Sequence, residues 1–104
     1  MHAEPTRPLL IAAAVLTPAT LASVCRSPSF HRRGWQILDR WAFESPTQLR
    51  ALEGAGEVIL LGRLLEQQQI EHQALRSAAA LEQLRRGMAE HEILALQEIR
   101  ITLA

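Results

Sequence analysis

The sequence predicts an all-α fold, and three observations carry that expectation. A hydroxyl residue followed by proline recurs as Thr17-Pro18, Ser27-Pro28 and Ser45-Pro46. From Glu57 to Arg86 there is no proline and only one glycine, Gly62, while apolar residues keep helical spacing. The composition, 48% apolar and 21% charged over 104 residues, is that of one small globular domain. That domain is expected to span 1–104, with 1–7 as a flexible N-terminus.

The hydroxyl–proline pairs read as helix starts. A Ser or Thr oxygen accepts a hydrogen bond from a first-turn N–H that has no partner within the helix. Proline suits the next position because the N–H it lacks would have been one of those orphans. Residues 8–16 form a short apolar helix, and 18–25, "PATLASVC", a second. Residues 28–43 form a third, with Phe30, Ile37, Leu38 and Trp41 at helical spacing and Arg32, Arg33, Gln36 and Arg40 on the other side. Residues 46–53 begin a fourth, with Leu49 and Leu52 inward, and "GAG" at 54–56 either breaks it or lets another backbone pass closely.

Residues 57–86 then read as one long central helix. "EVILLGRLL" is apolar around most of its circumference, which implies burial on several sides. "EQQQIEHQ" is polar except for Ile70, and a kink there is the alternative to a straight rod. Arg85 and Arg86 followed by Gly87 mark the end: cations in the last turn, then a glycine cap. "MAEHEILALQEIRITLA" is a final helix, with a strand at its tail as the alternative. A 57–86 rod would be about 45 Å long at 1.5 Å per residue. A compact domain of this size has a radius of gyration near 13 Å. Such a rod overhangs the core and needs a partner, so a homodimer is expected. Its oligomer seam is placed at Leu60, Leu61, Leu64, Leu65, Leu81, Leu84 and Met88.

The charge pattern narrows the function classes. Eleven arginines balance eleven acids and lysine is absent, so the net charge is zero. Residues 1–50 hold six arginines against three acids, and 51–104 hold five against eight. Neutrality removes the charge excess that a nucleic-acid or membrane-surface binder needs. The opposite signs let the halves pair, within one copy or between two. Cys25 is the only cysteine, which excludes an intrachain disulfide and suits a reducing compartment. With apolar neighbours Leu21 and Val24 it is expected to be buried and inert. His2, His31, His72 and His91 form no ligand pair at metal-binding spacing. No nucleophile–base pair with an orienting group is present, and "GAG" lacks the remainder of a phosphate loop. No catalytic, metal or cofactor site is expected.

The expected function is that of a small non-enzymatic, cytoplasmic interaction protein: an adaptor, a chaperone or an inhibitor that sequesters a protein partner. Its contacts are placed at Arg32, Arg33, Trp35, Gln36 and Arg40, since Trp and Arg are the residue types enriched in binding hot spots. Two alternatives stand beside it. Helices 18–25 and 28–43 could form a helix-turn-helix that reads DNA or RNA. The apolar N-terminal stretch, with small residues near Ala22, could be a cleaved export signal. That stretch, Leu9 to Leu16, is too short to span a membrane, which takes about 20 residues.

Overall fold

The computed structural model describes residues 9–103, and the expected flexible segment 1–7 lies outside the described residues. The fold is all-α. A single 3-10 turn, Ala12–Ala14, leads into α1 (Pro18–Arg26), α2 (Arg32–Glu44), α3 (Pro46–Ala55), α4 (Glu57–Leu75), α5 (Ala78–Arg85) and α6 (Glu90–Leu96). The molecule measures 40 × 39 × 25 Å with a radius of gyration of 14.4 Å. No helix among the described residues is long and apolar enough to cross a membrane.

Two of the three hydroxyl–proline pairs start helices. Thr17 caps α1, its side chain accepting from the Thr20 N–H, and Pro46 opens α3 after Ser45. The third pair does not. Ser27 ends α1, its hydroxyl accepts from the Ser29 N–H, and the Phe30 N–H returns to the Ser27 carbonyl. Pro28 thus takes the second position of a β-turn, which its fixed φ also favours. Helix α2 begins four residues later than expected, at Arg32, with His31 as its cap: Nδ1 accepts from the Arg33 N–H at 3.3 Å.

The long central helix ends at Leu75 and not at Arg86. Ser77 adopts extended backbone, and its hydroxyl accepts from the Ala80 N–H, starting α5 afresh. Helix α4 therefore has 19 residues, about 28 Å, and fits within the body. The overhang that motivated a homodimer does not exist. The kink considered at "QQQ" is absent too, because Gln67 to Gln69 are regular helix.

Gly56, at φ 138°, separates α3 from α4, as expected of "GAG". Helix α5 ends at Arg85 with Gly87 at φ 93°; the Met88 N–H bonds the Gln83 carbonyl and the Gly87 N–H the Leu84 carbonyl. Helix α6 ends with the same pair of bonds, Ile99 to Leu94 and Glu98 to Ala95, but here Glu98 occupies the left-handed position at φ 57°. The expected final helix is consequently seven residues long. Its tail is neither helix nor strand; it runs back over the body.

Two apolar clusters form the core. The larger joins Leu9, Ala12, Leu16, Val24, Phe30, Ile37, Leu38, Trp41, Ala42, Leu49, Leu60 and Leu64. Its N-terminal part is tied down by Asp39, whose carboxylate accepts from the Leu9 and Ala12 N–H groups at 2.8 and 2.9 Å. The smaller cluster holds Ala74, Leu75, Ala80, Ile93 and Leu94. Ile99 and Ile101 pack on the smaller cluster and Leu103 on the larger, so the tail spans both.

Candidate functional site

The expected contact residues sit on or beside α2, and the fold sorts them. Arg32, Arg33 and Gln36 line a depression of about 340 Å³ together with His31, His72 and Glu90. Arg33, Gln36 and Arg40 line an adjoining one of about 230 Å³ with Glu71, His91, Leu94 and Ile101. The two share Arg33, Gln36 and Glu90 and make one polar groove between α2, the C-terminal half of α4, and α6. Trp35 is elsewhere. It is half-buried against the larger core, and its indole N–H is buried with no acceptor among the described residues.

The arginines differ in how far they are committed. Arg40 forks onto the buried Glu71 carboxylate at 3.3 and 2.6 Å, and its Nε–H donates to the Ile101 carbonyl. Gln67 donates to the same carboxylate at 2.6 Å and to the Arg100 carbonyl, and it accepts from Arg63. Arg63 lies 5.0 Å from the Trp41 ring centroid, and the Trp41 indole N–H closes the circuit on the Ile101 carbonyl. This closed network fastens the tail, so Arg40 is a structural clamp at the floor of the groove. Arg33 pairs with Glu90 at 3.3 Å, but its Nε–H is buried without an acceptor among the described residues. Arg32 is exposed and makes no ion pair among the described residues.

His31 and His72 meet edge to face, ring centroids 5.6 Å apart. Packing against its neighbours, and then the positive charge of Arg76, His31 and Arg33, pushes the His72 imidazole below its ordinary value of 6.5. No group of three or more His, Cys, Asp or Glu side chains able to hold a metal ion occurs among the described residues.

The seven residues expected as an oligomer seam do not share one surface. Leu60 and Leu64 are wholly inside the larger core. Leu84 and Met88 pack on the smaller cluster, and Leu81 is half exposed on α5. Leu61 and Leu65 alone combine into a feature. With Val58, Gly62 and Phe30 they line an apolar groove of about 290 Å³ between α4 and the 27–30 turn. Val58 is 83% exposed there, and Ile59 beside it 54%. Cys25, expected to be buried, is exposed on the last turn of α1.

Sequence reasoning missed Gln67, Gln68 and Glu71 as interior residues. A signal existed: the inward stripe of α4 runs Leu60, Leu64, Gln67, Gln68, Glu71, Ala74, Leu75 without losing period. Gln68 donates to the Ser29 carbonyl and accepts from the His31 N–H, holding the turn before α2. Comparison with protein-family models, characterised proteins and solved structures finds no match for this chain.

Proposed function

We propose that this is a small non-enzymatic protein that binds a partner protein, docking an amphipathic helix of that partner on the outer face of α4. One observation carries the reading. The segment "EVILLGRLL" is apolar around most of its circumference, yet the fold fully buries only Leu60 and Leu64 and leaves Val58, Ile59 and Gly62 exposed. Val58, Leu61, Gly62 and Leu65 line the apolar groove at i, i+3, i+4, i+7 spacing, Val58 and Gly62 exposed and Leu61 and Leu65 half-buried against the core, which is the register a docked helix matches. A side chain added at Gly62 would meet nothing within 4 Å, so a partner backbone can approach closely there. Scattered exposed leucines need no explanation, but a contiguous apolar face on a small domain does. A cytoplasmic setting fits this reading, since a lone exposed thiol stays reduced there.

The test is native mass spectrometry on protein isolated gently from its own cells, comparing the natural chain with Val58→Arg. Val58 is exposed, so the substitution leaves the fold intact. A second, different chain held by the natural protein, lost in Val58→Arg and retained in Arg33→Glu, supports the reading. Retention in Val58→Arg with loss in Arg33→Glu overturns the placement. A bare homodimer lost in Val58→Arg replaces the partner with a second copy. Co-purifying nucleic acid, released steeply by salt, favours the regulator alternative, because phosphate contacts release counterions.

A further inference from the structure

The polar groove on the other side of α2 has a chemistry of its own. Three arginines and three histidines line it: Arg32, Arg33, Arg40, His31, His72 and His91. Its acids are Glu71, consumed by Arg40, and Glu90, paired with Arg33. One guanidinium at the rim remains uncommitted, that of the exposed Arg32, while the Arg33 Nε–H is buried with no acceptor among the described residues. The 13-residue α2 also begins here, with its positive end at Arg32 and Arg33.

We infer that this groove binds a small phosphate-bearing molecule, held by Arg32, the partly exposed Arg33 guanidinium and the His31–His72 pair. Arg supplies the forked, always-charged donors that a phosphate accepts. A volume of about 340 Å³ suits a compact ligand. Glu90 at the wall, with Glu92 exposed on the same helix, repels an extended polyanion such as a nucleic acid.

Linkage fixes the pH dependence. A bound phosphate raises the His72 pKa, so binding takes up a proton there. Affinity is then greatest below the free His72 value and falls as pH rises through the bound value. The groups facing His72 are His31, Arg32 and Arg33 from α2, Arg76 at the end of α4, and Glu90 from α6.

The experiment is an NMR titration of the full chain with inorganic phosphate at constant ionic strength, following the His72 ring proton and the Arg33 Nε–H. The expected result is saturable change in both signals, a His72 pKa that moves up, and about tenfold weaker binding in Arg32→Gln, the loss of one charged hydrogen bond. Sulfate, which keeps its charge across this pH range, should bind more tightly as pH falls. No change up to about 10 mM phosphate, a weak millimolar site, overturns the inference. So does an equal response to chloride, which is screening only, or an unaltered response in Arg32→Gln. Tighter binding of a phosphopeptide or an oligonucleotide than of any small phosphate also overturns it. The apolar face of α4 plays no part, so Val58→Arg leaves this titration unchanged.

Discussion

The two halves of α4 hold the fold by different means. From Val58 to Leu65 the helix is apolar apart from Arg63, and Leu60 and Leu64 disappear into the larger core. From Gln67 to Leu75 its inward face is half polar: Gln67, Gln68 and Glu71 are each at most 3% exposed and each is hydrogen-bonded. The first half supplies burial and has apolar surface to spare. The second half supplies direction: Gln68 places the turn before α2, while Gln67 and Glu71 place the tail. Apolar contact is tolerant of small shifts, whereas a buried carboxylate is satisfied in one arrangement only. The surplus in one half gives the proposed docking face, and the polar fixing in the other shapes the groove.

Removing a clamp should therefore cost as much as removing a core leucine, or more. Glu71→Ala removes the carboxylate that accepts from the Arg40 fork and from Gln67, and a loss of about 3–5 kcal/mol is expected in urea unfolding. Amides of residues 99–103 should also lose hydrogen-exchange protection. Leu64→Ala should cost about 3 kcal/mol with the tail still protected. Val58→Ala should fall within about 0.5 kcal/mol of the natural protein. If Leu64→Ala exposes the tail while Glu71→Ala does not, the division of labour between the halves is wrong.

Gly34 tests the second half from the opposite side. A Cβ at this position would run into the Gln68 carboxamide oxygen and crowd the Phe30 ring. Gly34→Ala should therefore push Gln68 off the Ser29 carbonyl and the His31 N–H, costing about 1–3 kcal/mol. The smaller Gln68 side chain of Gln68→Ala should relieve the clash, so the double variant should lose less than the two single losses added together. Simple additivity would mean that α2 is not seated on Gln68.

What was legible in the sequence follows the same division. Helix starts with a hydroxyl cap and proline, and helix ends with glycine, were readable because the residue type itself dictates the backbone. Ser27-Pro28 misled because the same pair also makes a β-turn, which is held here by local bonds and by Gln68, far away in sequence. Ser77 was a cap without a proline and was passed over, which joined α4 to α5 and created a rod that does not exist. The end of α6 was hidden because Glu98 takes a left-handed position normally left to glycine. At the candidate site, composition drew attention to the arginines of α2, and Arg32, Arg33 and Arg40 line the polar groove. Their individual commitments depend on Glu71 and Glu90, which only tertiary structure brings near.

Glu98 offers a modest gain where the others are losses. A non-glycine residue at φ 57° pays a steric cost of about 1–2 kcal/mol, partly offset by the greater flexibility of an unfolded glycine. Glu98→Gly should therefore raise stability by about 0.5–1 kcal/mol, read as a higher urea midpoint with unchanged slope. A loss would mean that the Glu98 side chain contributes more than its backbone costs.

The smallest expected effect lies just before α4, where polar fixing is done in the open. The Glu53 carboxylate accepts from the Thr17 N–H and hydroxyl, both at 2.9 Å, and so tethers the start of α1. Burial raises its pKa, but hydrogen bonds from the Thr20 hydroxyl and from the Thr17 N–H and hydroxyl outweigh it, leaving the group below its ordinary 4.5. A carboxyl depressed in the folded state stabilises above its unfolded value and loses that contribution as pH falls through the folded value. The stability difference between the natural chain and Glu53→Gln should thus be constant from neutral pH to about 5, then shrink below about 4.5. Solvent screening keeps it slight. Glu71, buried and forked by Arg40, is screened far less, so added salt should erase the Glu53 difference well before it affects the clamp. Equal salt sensitivity of the two would mean that the clamp, like the tether, is open to water.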